Sequence, residues 1–340
     1  MQHILTVTTP FFALVLLGWA VARWRVFPLT GISGLNVFVL YFALPCMLFR
    51  FSATTAITQL LDVSTVVVYL GSALTLVALA TVRARQQRTG WSDAGFSALV
   101  AVFPNSGFMG VPLIVALLGQ AAAAPAIVTL AVDMVITSSL CIAISQAGGA
   151  VGVGPDVVSA HPARAALLRA LRGMLVNPLP WAIALGTLSS AWDWLPPAPL
   201  MRSVDMLAGA ASPVALFALG AMLARGQLEP PGPHAKGHGW MEFVAFKLLL
   251  HPLLVWVAGL MAIAAGLSLD PFAAAVLVLI AALPSASNVP IMAERFGADG
   301  QRLARVVLVS TVCAFASFSA AVAWMQGTYW LAQPAISPAH

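Results

Sequence analysis

Two stretches decide how this chain is read: Phe103-Pro104-Asn105-Ser106-Gly107-Phe108-Met109-Gly110-Val111-Pro112 and Leu283-Pro284-Ser285-Ala286-Ser287-Asn288-Val289-Pro290. They interrupt apolar runs at 93–119 and 271–294, each long enough to carry a helix across a hydrocarbon core, which takes about 20 residues. Each has two prolines with Asn, Ser or Gly between them. Proline inside a helix removes a donor and clashes with the preceding turn. Two so close together are expected to unwind the helix in mid-span. Backbone groups freed this way cannot face lipid, so the breaks must line a cavity or pack in protein.

Eight further runs flank these two: 4–22, 32–51, 63–82, 126–146, 171–190, 204–224, 240–265 and 303–326. Ten membrane-spanning helices are therefore expected, in an all-α polytopic membrane protein. Long runs without alternation exclude a β-barrel. Composition agrees: of 340 residues, 61% are hydrophobic and only 8% charged, and the mean hydropathy is +0.95. A soluble chain is roughly a quarter charged, and disorder needs the opposite balance. The net charge of +5 suggests no nucleic-acid partner, because the basic residues are scattered and form no face. Cys46, Cys141 and Cys313 lie in apolar runs without a CxxC pair, and are read as small buried hydrophobes. No metal or cofactor is implied. His234 and His238 fall in a Pro/Gly-rich loop at 226–239, read as a cytoplasmic connection.

The basic residues orient the chain. Thirteen lie in the loops after odd-numbered spans: Arg23, Arg25; Arg83, Arg85, Arg88; Arg164, Arg169, Arg172; Arg225, Lys236; Arg295, Arg302, Arg305. Only Arg50 and Arg202 lie on the other side, and Lys247 is inside span 8. The positive-inside rule then puts both termini outside the cytoplasm of an inner or plasma membrane. Trp19, Trp24, Trp91, Trp192, Trp194 and Trp240 sit near span ends, as interfacial anchors do.

The halves match in sequence. Pro10 to Gly18 in span 1 matches Pro178 to Gly186 in span 6, and Pro45 to Phe49 matches Pro213 to Phe217, both at an offset of 168. Val111-Pro112 with Gly119 matches Val289-Pro290 with Gly297 at an offset of 178. Residues 1–146 and 171–327 are thus read as two five-helix repeats, joined by a glycine-rich cytoplasmic linker at 147–170. Five is odd, so the second copy must be inverted. Inverted repeats with matched helix breaks point to a secondary transporter with its site at the breaks. There, positive helix ends would favour an anion, with Asn105, Ser106, Ser285, Ser287 and Asn288 adding neutral hydrogen bonds. Kinked helices with small residues for close packing are the plainer alternative.

Phe42-Ala43-Leu44-Pro45, Pro104 to Gly107 through Gly110-Val111-Pro112, Ala211-Ser212-Pro213 through Leu219-Gly220, and Pro284 through Pro290 together resemble the auxin efflux carrier family. That family groups plant auxin exporters with bacterial relatives, including malonate and malate permeases. The resemblance covers essentially the whole chain and implies ten helices, similar in fold to bile-acid symporters and sodium/proton antiporters. It implies a scaffold from helices 1, 2, 6 and 7, and a transport part from helices 3–5 and 8–10. Pro112 and Pro290 become the crossover prolines, with Asn105, Ser106, Gly107, Ser285, Ser287 and Asn288 around the substrate. The short central loop resembles a compact bacterial member. Plant exporters are homodimers, which leaves a homodimer open here.

Ionisable groups inside spans are functional candidates by default. Asp133 lies about ten residues into span 5, and Lys247 about seven into span 8, roughly 15 and 11 Å deep at helical rise. His251 follows Lys247 at i+4 on the same face, although its place before Pro252 also fits a helix kink. In antiporters of similar fold an Asp and a Lys occupy the equivalent helices. Asp133, Lys247 and His251 are therefore read as ion-coupling candidates near the crossing. Snorkelling of Lys247 and a structural hydrogen bond for Asp133 are the alternatives. No GxSxG, HExxH or Walker A motif occurs, so a non-enzymatic carrier of small organic anions is expected. Coupling to protons is favoured over sodium, with a channel or uniporter as the alternative.

Overall fold

The computed structural model describes residues 2–55, 60, 62–147, 177–228, 238–328 and 330. The expected linker beyond Ala147, and with it Arg164, Arg169, Arg172, His234 and Lys236, lies outside the described residues. The chain is helical: α1 (Gln2–Arg23), α2 (Gly31–Ala53), α3 (Val63–Gln86), α4 (Trp91–Val102), α5 (Ser106–Leu118), α6 (Gln120–Ser145), α7 (Pro178–Ala191), α8 (Ala198–Leu228), α9 (Met241–Ala264), α10 (Pro271–Ala281), α11 (Val289–Arg295) and α12 (Gly300–Gln326). Among the described residues the only extended pairing is a single antiparallel bridge between Pro104 and Ser285.

Seven helices (α1, α2, α3, α6, α8, α9 and α12) are long and apolar enough to cross a membrane. The runs 93–119 and 271–294 are each divided between two helices, α4 and α5, and α10 and α11. In the run 171–190, α7 begins at Pro178, and residues 171–176 lie outside the described set.

Helix starts are set by local chemistry. Asp62 accepts from the N–H groups of Ser64 and Thr65 at 3.1 and 3.3 Å, and Asn177 from Leu179 at 3.0 Å. Asp270 and Asp299 cap α10 and α12 in the same way, satisfying donors a helix leaves unpaired. Four helices contain a wide π turn: Val39–Ala43, Ser106–Gly110, Asp133–Thr137 and Phe246–Leu250. Three of them end two residues before a proline, namely Pro45, Pro112 and Pro252. The missing N–H and the ring's clash with the upstream carbonyl account for those three. The turn at Asp133 has no proline to explain it, and such bulges concentrate at functional sites.

Glycines decide the closest packing. A Cβ on Gly18 of α1 would lie 2.0 Å from the Phe217 carbonyl oxygen of α8, and one on Gly220 1.9 Å from that of Val15. One on Gly186 of α7 would lie 2.6 Å from the Phe49 oxygen of α2. Helices α1, α2, α7 and α8 therefore pack on one another with backbones in near contact, as small residues allow in membrane bundles. The remaining helices surround α4 and α10. Every residue of Ala94–Val102 and of Ala273–Ala281 is buried, which places these two largely apolar helices in the interior. Large apolar side chains are exposed on the outer helices, among them Leu17, Val67, Leu249, Met261 and Val312; lipid is the solvent that suits such a surface. This corrects the expectation for the cysteines. Cys141 is buried, but Cys46 is half-buried and Cys313 exposed on α12, because in a lipid-facing run an apolar residue need not face a core.

Candidate functional site

The two proline-containing segments meet in the interior. Asn105 N–H donates to the Pro284 carbonyl at 2.8 Å, and Ala286 N–H donates to the Phe103 carbonyl at 3.0 Å. The chemistry follows from the prolines. Val100 O would ordinarily accept from residue 104, but Pro104 has no N–H. The Ser285 hydroxyl, from the other segment, donates to Val100 O at 2.7 Å instead. In turn Ser285 N–H donates to Ser310 Oγ on α12 at 3.2 Å, so it does not close a helical bond to Ala281 O. That freed carbonyl accepts from Lys247 Nζ at 2.9 Å. Each break is satisfied by a group from elsewhere in the chain, as buried backbone requires.

The sequence-named residues divide. Asn105 is buried; its carbonyl accepts from Met109 and Gly110 N–H at 3.1 and 2.9 Å, while its Nδ2 has no partner among the described residues. Ser106 is buried, and its hydroxyl makes only a long 3.4 Å bond to Pro104 O. Gly107 is half-buried, and a Cβ there would make ordinary contacts with Leu130 and Leu44. Gly110 is the tight position, 2.6 Å from Leu283 Cδ1 by the same measure. Pro112 is half-buried in the first turn of the regular helix after the wide turn. In the second segment Ser285 and Ser287 are buried, and the Ser287 hydroxyl has no partner among the described residues. Pro290 is buried, whereas Asn288 is exposed and makes no side-chain cap to α11. The two asparagines therefore occupy different surroundings.

Asp133, Lys247 and His251 are all completely buried. Asp133 and Lys247 form no direct ion pair. Tyr69 of α3 donates its hydroxyl to Asp133 Oδ2 at 2.6 Å, and its ring lies 5.9 Å from the His251 ring, centroid to centroid. Lys247 Nζ lies 2.9 Å from His251 Nδ1 as well as from Ala281 O. A chain of polar side chains thus runs Asp133–Tyr69–His251–Lys247, hydrogen-bonded within its two end pairs and joined between Tyr69 and His251 by ring contact alone, and it ends on the second break. Asp133 Oδ1 and His251 Nε2 lack partners among the described residues, and buried orphans of this kind call for a functional or structural reason. Sequence reasoning missed Tyr69, although a phenol amid the apolar residues of span 3 is itself a signal. It also missed Ser310 and the role of the Ala281 carbonyl.

A cavity of about 270 Å³ opens beside the second segment. Ser287 and Pro290 line it from the break, Leu223 and Arg225 from α8, and Gln301 and Arg305 from α12. Neither Asn105 nor Ser106 lines it. The two arginines, read from sequence as markers of orientation alone, are thus also part of a chamber wall.

Taken together, these features define a multi-pass helical membrane protein with a polar, proline-interrupted interior. Residues 3–322 match the family described as "Membrane transport protein", and the chain belongs to that family, the auxin efflux carrier group to which its motifs pointed. It is similar to a protein of Rhizobium meliloti (strain 1021) named "Putative malonate transporter", with 29% identity over 318 residues, 93% of this chain and 94% of the relative. Its function is membrane transport.

Proposed function

We propose that the chain is a secondary active carrier of small organic anions, carboxylates such as malonate or malate, working by alternating access and coupled to protons. The observation that carries this reading is the reciprocal backbone pairing of the two proline breaks in the protein interior. It supports a crossing of two broken helices; with α4–α5 and α10–α11 as one crossing each, the seven long helices and α7 bring the number of crossings in this reading to ten. Matched interrupted segments are where carriers built from inverted repeats hold substrate. The glycine contacts support the repeat itself. Gly18 meets Phe217 and Gly186 meets Phe49; the steps from 18 to 186 and from 49 to 217 are both 168 residues, so one contact maps onto the other.

In this reading α1, α2, α7 and α8 form the scaffold and the other helices move against it. Asn105, Ser106, Gly107, Pro112, Ser287, Asn288 and Pro290 surround the substrate, while Ser285 holds the crossing together. Protons act at the Asp133–Tyr69–His251–Lys247 chain. A charged Lys247 complements the negative C-terminal end of α10, so losing its proton loosens the second break. Both termini lie outside the cytoplasm of the inner or plasma membrane, and a homodimer follows the plant relatives.

The test is labelled malonate uptake into proteoliposomes, with malate, succinate and indole acetate as competitors, under a pH gradient alone and then a sodium gradient alone. Saturable uptake driven by the pH gradient and lost in Asp133→Asn and Lys247→Ala is the expected result. Sodium-driven uptake indifferent to both substitutions would overturn the coupling. Flux that does not saturate would replace the carrier with a channel.

A further inference from the structure

We propose that His251 is the relay through which Lys247 gains and loses its proton, receiving it at Nδ1 and passing it on from Nε2. This rests on the reading of the chain as a proton-coupled carrier and adds the route the proton takes. Lys247 Nζ lies 2.9 Å from both Ala281 O and His251 Nδ1. An ammonium has donors and no acceptor. It therefore fixes the ring: Nδ1 accepts, and the ring hydrogen sits on Nε2. That Nε2 is buried without a partner among the described residues. A histidine that only propped Lys247 would use one nitrogen and have the other paired, because buried polar groups are ordinarily satisfied.

Helices α3, α4, α10 and α12 pack against α9. Tyr69 of α3 is the titratable group they bring to the ring, with centroids 5.9 Å apart. Their charges, Arg83, Arg85, Asp93, Arg302 and Arg305, fall near helix ends; α10 has none, and Cys313 of α12 is exposed. Helix α6 carries Asp133, bonded to Tyr69, and the buried Cys141. Tyr69 gives its hydroxyl hydrogen to Asp133 Oδ2 at 2.6 Å and offers His251 only its ring. No hydrogen bond among the described residues therefore joins the Asp133–Tyr69 pair to the His251–Lys247 pair, and the aligned route from Nζ is through the imidazole.

The transfer balances. A Nζ–H bond breaks and leaves its electron pair on Nζ, while the Nδ1 lone pair forms the new N–H bond and makes an imidazolium. The Nε2–H bond then breaks, its proton goes to a water molecule, and the ring is left as the Nδ1–H tautomer. Reloading runs backwards: a proton binds at Nε2 and the Nδ1 hydrogen returns to Nζ, so the ring need not flip. His251 is completely buried here. On the carrier reading Nε2 meets water only when the moving helices part, which ties the charge on Lys247 to the transport cycle.

The experiment compares two malonate fluxes of the full-length protein in proteoliposomes. Net uptake under a pH gradient requires the proton site to empty and refill in every cycle; exchange of labelled for unlabelled malonate does not. His251→Asn puts an amide oxygen near the place of Nδ1, so it can still accept from Lys247, but it has no second nitrogen in line to pass a proton on. Its net uptake is expected to fall about a hundredfold, the scale of a lost acid–base group, while exchange stays near the wild-type rate. His251→Gln, with its amide at the Nε2 end, should behave alike and serves if the first variant does not fold. Wild-type net uptake should be slower in deuterium oxide, with exchange slowed far less. Net uptake by His251→Asn near the wild-type rate would mean that Lys247 exchanges through its own third hydrogen, and would overturn the proposal. Equal loss of both fluxes in folded variants would assign the ring to packing and overturn it too; if neither variant folds, a deuterium effect equal on both wild-type fluxes does so. The coupling reading fails separately: wild type that exchanges malonate but takes none up under a pH gradient defeats proton coupling, whereas failure of the relay alone leaves wild-type uptake intact.

Discussion

The two breaks share a sequence pattern and differ in their surroundings. At the first, Asn105 and Ser106 are buried, Gly110 presses on Leu283, and neither polar side chain lines the cavity. At the second, Ser287 and Pro290 line a cavity, Asn288 is exposed, and Lys247 props the carbonyl of Ala281. Near-symmetric sequence with unsymmetric exposure is what an alternating-access protein requires of any single state, since the site can open to one side only at a time. Under the proposed carrier reading, the first break would be the sealed side of this structure and the second its open side, with the arginine-bearing ends of α8 and α12 on the open side.

The comparison breaks most decisively at Lys247. Lys247→Ala leaves Ala281 O and His251 without their shared partner, at the break tied to the polar chain. Uptake of labelled malonate into proteoliposomes is expected to fall to the level of protein-free liposomes. Uptake near the wild-type rate would mean that Lys247 is a structural cap and that the two breaks are functionally alike.

Accessibility tests the sealed and open sides directly. In a background lacking the three native cysteines, Ser287→Cys is expected to react with a water-soluble maleimide at least about tenfold faster than Ser106→Cys, because only thiolate in contact with water reacts. Saturating malonate should slow the Ser287→Cys reaction. Equal rates would remove the asymmetry on which the one-sided state rests.

What the sequence made legible follows from the range of each signal. Proline acts on its own turn, so interruptions were expected from residues alone within 103–112 and 283–290, and the helices of the two runs stop at Val102 and Ala281 and resume at Ser106 and Val289. The buried charges were legible too, since Asp133 and Lys247 are conspicuous amid apolar neighbours. The partners were not. Ser285 to Val100, Lys247 to Ala281 and Tyr69 to Asp133 join residues distant in the chain, and only tertiary packing decides which hydroxyl meets which orphaned carbonyl. The arginines misled in a particular way: their number on one side reads as topology, and that reading hid their place in a chamber wall. Asn105 and Asn288 show the reverse failure: similar motifs gave no sign that one asparagine would be buried and the other exposed.

The helices of the proposed scaffold should respond differently from the breaks. Gly18→Ala places a Cβ against a backbone oxygen that cannot turn aside, 2.0 Å away before any shift. Overpacking of this kind costs about 1–3 kcal/mol, read as a lower melting temperature of the detergent-solubilised protein. Gly107→Ala, with only ordinary contacts to meet, should melt within a degree or two of wild type. If both substitutions melt alike, the rigid pairing of α1 with α8 is not what separates scaffold from moving part.

The smallest expected effect separates two serines that look equivalent in sequence. Ser285 Oγ donates at 2.7 Å to a Val100 carbonyl that Pro104 has left without its helical donor, and both groups are buried. Ser285→Ala strands that carbonyl, and an unsatisfied buried acceptor costs about 1–3 kcal/mol. Ser106 makes only a 3.4 Å bond to Pro104 O, which already accepts from Ser106 N–H at 2.7 Å, so Ser106→Ala should cost less than about 0.5 kcal/mol, close to a surface substitution. The transport effects should run the other way. Ser106, beside the partnerless Asn105 amide, is among the residues proposed to contact substrate, so on that reading its loss should raise KM for malonate while the melting temperature holds. Ser285→Ala should lower the melting temperature while the KM of the folded fraction stays near wild type. The pair thus separates holding the crossing together from binding at it, and the reverse pattern would exchange the two roles.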